Sequence, residues 1–281
     1  MQQKYIIIES GTQTLLAEVT TEFAALPEVR AVALAGSQGG KLSDDGSDID
    51  LYVYAEPEPP VAWRTWLAKK FGERASIGNR FWEPGDEWVA SRSGIIVDIM
   101  YRSPAWIEAQ LDRVLLQHEA SVGYSTCFVH NVLHSNPLHD RNGWFASLQA
   151  RIAQPYPEPL RRAIIARNHP ILRSTLSSYV HQIALALARE DHVSVNHRIT
   201  ALLASYFDIL FAVNRLPHPG EKRLVAYVSA NCAQRPPHFQ TQVNELLLAV
   251  APAGRADVFE KVNGLLDGLD ALLVAEGLIA R

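Results

Sequence analysis

Two carboxylates separated by one residue, Asp48 and Asp50, open an apolar run in the stretch AGSQGGKLSDDGSDIDLYVY, residues 35–54. Side chains alternate along an extended strand, so Asp48 and Asp50 share one face while Ile49, Leu51 and Val53 take the other. Two anions held side by side repel each other unless a cation neutralises them. Hard divalent ions with oxygen ligands suit such a pair, magnesium above all when phosphates complete its coordination. A third carboxylate, Asp98, stands alone in the otherwise apolar GIIVDIMY, residues 94–101. A buried acid without a partner is costly, and that cost is most simply avoided if Asp98 joins the other two. Three carboxylates from two strands can hold two metal ions about a transferring phosphoryl group.

The residues upstream supply a second feature. Gly36 permits a sharp turn at the end of the apolar VRAVALA, Ser37 offers a hydroxyl and an N–H, and Gly39 and Gly40 admit close backbone approach. A turn of this kind can present N–H groups to a triphosphate. Asp44 and Asp45 read as an acidic solvated turn. A calcium loop counted from Asp44 fails on spacing, with Ile49 where position six needs Gly and Ala55 where position twelve needs Glu.

The elements that must position these residues follow from periodicity. Leu15, Val19, Phe23 and Leu26 recur at helical spacing. VRAVALAG, DIDLYVYA and GIIVDIMY then read as three buried strands. Between the second and third lies a polar, Trp-rich region to residue 93, with breakers at Gly72, Gly78, Pro84 and Gly85. Trp63, Trp66, Trp82 and Trp88 are expected to anchor core or loops. A helix follows with Pro104 in its first turn. Beyond Pro159 the pattern is helical almost throughout, with one apolar stripe through Ile199, Leu202, Leu203, Tyr206, Phe207, Leu210 and Phe211. Asn196 sits where a cap is expected, and Asp208 lies on that helix as a cleft or surface acid. The expected organisation is a mixed α+β domain over residues 1–140 with a small sheet, then an all-α helical bundle over 141–281 as the acceptor-binding half.

Composition excludes several classes. The 281 residues carry a net charge of −4, which disfavours a general nucleic-acid binder. Cys127 and Cys232 form no CxxC and fit free thiols in a reducing compartment. His130 and His134 have i, i+4 spacing, but HNVLH lacks the Glu that follows the first His in a zinc protease. The opening MQQKYIIIES has too short an apolar run for a secretory signal, and no run reaches the ~18 residues of a membrane span, so a cytoplasmic location is expected.

A strand ending in Gly-Ser, Asp-x-Asp opening a second strand eleven positions after the Ser, and a carboxylate on a later strand together resemble nucleotidyltransferases of the DNA polymerase β type. The helical second half is similar to that of bacterial aminoglycoside and lincosamide adenylyltransferases. FDILFAVNRLPHPGEKRL, residues 207–224, resembles a stretch of uncharacterised bacterial relatives in which a Lys after a helix reaches the nucleotide phosphates. The resemblance implies Gly36 and Ser37 at the triphosphate and Asp48 and Asp50 as magnesium ligands. Asp98 then becomes the third ligand or the base on the acceptor hydroxyl, with Glu87, in the loop before the Asp98 strand, as the other candidate base. Lys222, and after it Arg223, are implied as phosphate partners. The implied reaction moves a nucleoside monophosphate, AMP from ATP, to a hydroxyl of a small molecule and releases pyrophosphate. A non-catalytic NTP-binding protein, a protein acceptor and a metal-dependent glycosyltransferase are the competing readings. A homodimer stays open.

Overall fold

The computed structural model describes residues 10–35, 48–81, 83–250 and 257–280. It divides into two compact units. The first is Met1–Leu111 with Asn131–Gln154, and the second is Asp112–His130 with Pro155–Arg281. The chain therefore crosses between units three times, whereas the sequence suggests one boundary at residue 140. Residues 112–130 belong with the helices, and residues 141–154 belong with the sheet.

The first unit is α/β. Its elements are α1 (Ser10–Ala24), β1 (Val29–Ala35), β2 (Ile49–Ala55), α2 (Val61–Phe71), β3 (Gly72–Asn79), β4 (Gly85–Ala90) and β5 (Ile96–Arg102). After α3 (Pro104–Leu115) and α4 (Cys127–His134), β6 (Asn136–Asp140) and α5 (Trp144–Ile152) complete it. The strands form one six-stranded sheet in the order β3-β4-β5-β2-β1-β6. Among the described strands only β2 and β5 run parallel. A parallel pair needs a crossover, and α2 with the β3–β4 hairpin supplies it.

Alternation along the strands sorts the sheet into two faces. Ile49, Leu51 and Val53 of β2 and Val97, Ile99 and Tyr101 of β5 are buried in one core with Leu15, Leu16, Val19 and Phe23 of α1 and Leu67 of α2. On the opposite face, α5 covers one end. There Tyr54 packs on Trp144 and Phe145 of α5, each pair of ring centroids 5.3 Å apart. Arg141 ties this layer to the first, its guanidinium donating to the carbonyls of Ala24, Leu26 and Val29.

The second unit is helical among its described residues. It contains α6 (Glu158–Arg173), α7 (Tyr179–Ala188), α8 (His192–Val213), α9 (Leu224–Asn231), α10 (Phe239–Ala249) and α11 (Val258–Ala275). The stripe through Ile199, Leu202 and Tyr206 is buried, but from Ser205 to Val213 every residue of α8 is buried, so the helix ends inside the core instead of on its surface. α8 also starts earlier than its stripe suggests. Asp191 is its N-cap, accepting from the N–H of Ser194, and Asn196 lies one turn inside, donating to the His192 carbonyl.

Candidate active site

The parallel pairing of β2 and β5 sets Asp50 opposite Asp98. The antiparallel pairing of β4 and β5 sets Glu87 opposite Asp98 from the other side. Partners in register project from the same face of a sheet, with neighbouring strands about 4.8 Å apart. Asp50, Asp98 and Glu87 thus form one row across three adjacent strands. Glu87 belongs to strand β4 and not to a loop. Asp48 precedes β2 by one residue and is exposed, as is Glu87, while Asp50 and Asp98 are half-buried. The row lies on the sheet face opposite the α1–α2 core, at the end of β2 away from Tyr54 and α5.

Behind the row, the same face carries Tyr52 and Tyr54 on β2 and Arg102 on β5. The Arg102 guanidinium lies 3.8 Å above the Tyr52 ring, is paired with Glu83 through two 2.8 Å hydrogen bonds, and donates to Asn131 at 3.0 Å. Burial raises the Tyr52 hydroxyl above the usual phenol range, Arg102 opposes that shift, and Asp50 adds to it. Desolvation is the largest influence on Arg102 and opposes its charge, but the Glu83 hydrogen bond, the Tyr54 and Tyr52 oxygens and the Glu83 charge together overcome it and hold the guanidinium charged. A fixed cation thus seats the ring that neighbours Asp50.

The donor set of the row fits a hard divalent cation, since every candidate ligand is a carboxylate oxygen. Among the described residues, no group of three or more His, Cys, Asp or Glu side chains converges at metal-binding distance. The backbone register brings Asp50 and Asp98 together, and Asp48 stands at the mouth of the same strand. Gly36, Ser37, Gly39, Gly40, Asp44, Asp45 and Trp82 lie outside the described residues.

Lys222 and Arg223 belong to the second unit, exposed in the turn before α9, with Arg223 at its N-cap in a left-handed conformation (φ 55°). Asp208 is neither a surface nor a cleft residue. It is buried in the second unit, accepting from the Ser125 N–H at 3.1 Å and the Ser125 hydroxyl at 2.6 Å. Burial pushes its carboxyl up to about 6, against the opposing pull of Ser125. A carboxyl raised on folding keeps its proton to higher pH in the folded state, so its contribution to stability is lost as pH rises from about 4 to about 6. Asp208→Asn is expected to gain on the wild type over that interval by on the order of 3 kcal/mol. Urea unfolding of both proteins at pH 4 and pH 7 checks this, and a pH-independent difference would count against it.

No protein-family model matches the chain, and no curated protein matches it. Among solved structures it is similar to a nucleotidyltransferase-like protein from Exiguobacterium sibiricum, with 14% identity and a TM-score of 0.44, over 95% of this chain and 76% of that one. It is also similar to the Thermotoga maritima CCA-adding enzyme complexed with tRNA, with 11% identity and a TM-score of 0.36, over 95% of this chain and 66% of that one. No described helix is long and apolar enough to cross a membrane.

Proposed function

We propose that the protein is a magnesium-dependent nucleotidyltransferase that moves AMP from ATP to a hydroxyl of a small-molecule acceptor and releases pyrophosphate. The observation that carries this reading is the register of Asp50 with Asp98 on neighbouring parallel strands, with Glu87 next in the row. Like charges placed directly opposite one another are unfavourable in a sheet, and a divalent cation between them would offset that.

In this reading Asp48, Asp50 and Asp98 hold the magnesium, which when bound supplies charge neutralisation at the phosphates and lowers the pKa of a coordinated oxygen. Asp50 and Asp98, half-buried on rigid strands, would hold that ion in a fixed place, and the Arg102–Tyr52 stack keeps the Asp50 side of the row from shifting. Glu87, exposed at the end of the row, or Asp98 beside it, takes the proton from the acceptor hydroxyl as that oxygen attacks phosphorus in line. Gly36 and Ser37 serve the triphosphate, and the resemblance alone assigns Lys222 and Arg223 to the phosphates.

Thermal-shift measurements with each of the four NTPs, with and without magnesium, test the reading. A nucleotide at a hundredfold excess over its Kd stabilises by about 2.7 kcal/mol, a shift of several degrees in Tm. The shift is expected for the wild type with magnesium and is expected to vanish in Asp48→Asn/Asp50→Asn. Absence of any shift in the wild type at saturating nucleotide would refute nucleotidyl transfer.

A further inference from the structure

Asp86 of β4 is a buried charge that the proposed reaction does not use. It is in register with Ile99 of β5, so it projects into the α1–α2 core, where it is 2% exposed. Both of its oxygens are engaged there. Oδ2 accepts from the Tyr101 hydroxyl of β5 at 2.8 Å, and Oδ1 accepts from the Gly78 N–H of β3 at 2.8 Å. Oδ1 also lies 3.3 Å from Nη1 of the buried Arg64, which Glu58 meets in turn at 2.9 Å. Burial, and after it the Asp86 charge, raise the Tyr101 hydroxyl well above the usual phenol range, so it stays a donor.

The Gly78 contact sits at an irregularity of the ladder. Ile77 pairs with Asp86 and Asn79 with Gly85, which leaves Gly78 between them as an extra residue. It is left-handed at φ 72°, the conformation of a glycine bulge, and its N–H goes to the Asp86 carboxylate instead of a strand carbonyl.

A buried ion pair is a poor source of stability, since well-packed apolar residues of similar volume often serve as well, and its best-attested use is to set registry. Trp88 and Ala90, buried in the same core, decide which face of β4 points inward. They do not decide its place along β5, because a slip of two residues keeps the same face inside. Such a slip would carry Glu87 about 6.8 Å along the strand, away from Asp98. Asp86 opposes it, with one oxygen on a donor from each neighbouring strand.

We propose that Asp86 is a positioning residue: from inside the core its carboxylate bridges β3 and β5, and so fixes the point at which Glu87 stands opposite Asp98 in the acid row. What Glu87 does there rests on the proposed transfer reaction, whereas its placement does not.

NMR of the full chain, without metal or nucleotide, tests the placement through the cross-strand NOE between Glu87 and Asp98 and relaxation dispersion of the β4 amides. Tyr101→Phe removes one of the two bridging bonds and leaves the ring in the core. Asp86→Glu keeps the charge beside Arg64 but carries the oxygens one methylene past both donors. The wild type is expected to show the NOE and flat dispersion. Both variants are expected to weaken the NOE and to show exchange at Glu87, with Val32 of β1 and Val53 of β2 still flat. A wild-type pattern in Asp86→Glu would reduce Asp86 to charge balance and overturn the proposal, as would a wild-type pattern in Tyr101→Phe or exchange of equal size at Val32 and Val53. Should Asp86→Glu fail to fold, Tyr101→Phe decides alone. Manganese(II) in place of magnesium is the second arm. At saturation it is expected to broaden the Glu87 carboxyl carbon in the wild type and to broaden it less in Tyr101→Phe, and equal broadening in the two proteins counts against the placement. A wild-type Glu87 signal left sharp refutes the metal site of the proposed function, while the metal-free spectra still decide the role of Asp86.

Discussion

Asp50→Asn is expected to lower nucleotidyl transfer by about 10³-fold or more while leaving the ligand-free protein at least as stable as the wild type. The two effects have one origin. Asp50 lies in register with Asp98, so two like charges face each other on adjacent strands. Like charges directly opposite one another in a sheet cost up to about 1 kcal/mol relative to a neutral pair. Asparagine keeps the volume and one oxygen but removes a charge, so the ligand-free Tm holds or rises. Under the proposed function the same charge would be worth several kcal/mol as a metal ligand in the transition state, and each 1.36 kcal/mol is about tenfold in rate. Asp98→Asn follows the same pattern. Glu87→Gln separates the two candidate bases. If Glu87 takes the acceptor proton, the variant loses about 10²–10⁴-fold in rate and its acid limb in the pH–rate profile, with magnesium-dependent nucleotide stabilisation intact. If Asp98 takes it, Glu87→Gln retains the acid limb. A ligand-free Asp50→Asn that is strongly destabilised and loses nucleotide binding only through unfolding would assign the row to structure.

Strand alternation, with its fixed period of two, made the faces of β2 and β5 readable from residue types alone. Ile49, Leu51 and Val53 had to share a core, and Asp48 and Asp50 had to avoid it. The neighbour relations were not readable, because register depends on the segments between strands. Those segments break the local rules. In α2, Arg64 is buried at 3% exposure and Trp66 is 45% exposed, the reverse of an amphipathic pattern. Arg64 is tolerated because Glu58 and Asp86 lie against its Nη1 and its guanidinium lies 4.7 Å from the centre of the Tyr101 ring. β3, GERASIGN, has four consecutive exposed residues and exists as a strand through its pairing with β4 alone, at the sheet edge. Without that hairpin Glu87 has no register, and so its place beside Asp98 carried no sequence signal. The Ser125–Asp208 pair was hidden for a related reason. Its members lie 83 positions apart, and Asp208 on an apolar helix looks like any outward-facing acid until the Ser125 loop is folded against it.

Arg102→Met is expected to destabilise the first unit by about 2–3 kcal/mol, more than a surface ion pair would account for. Arg102 is 5% exposed, and its loss leaves the Asn131 oxygen and the Tyr52 ring without their partner. Breaking a fully buried pair costs about 3–5 kcal/mol. The lower figure applies here because Glu83 is 31% exposed and regains water once released. Arg102→Lys keeps the charge but cannot make the two parallel bonds to Glu83 or lie flat on Tyr52, so it recovers only part of the loss. Urea unfolding of Arg102→Met, Glu83→Gln and the double variant closes the cycle, with a coupling of about 1–3 kcal/mol expected for groups that act as a unit. Additive single effects would show that the guanidinium acts through packing on Tyr52 and not through Glu83. The consequence reaches the acid row, because Tyr52 neighbours Asp50 on the same face of β2. Releasing the ring loosens that side of the row, so the magnesium-dependent thermal shift by nucleotide falls in Arg102→Met and is partly restored in Arg102→Lys. A shift of unchanged size in Arg102→Met, measured well below its own Tm, would separate the stack from the site and leave it a stabilising element of the sheet.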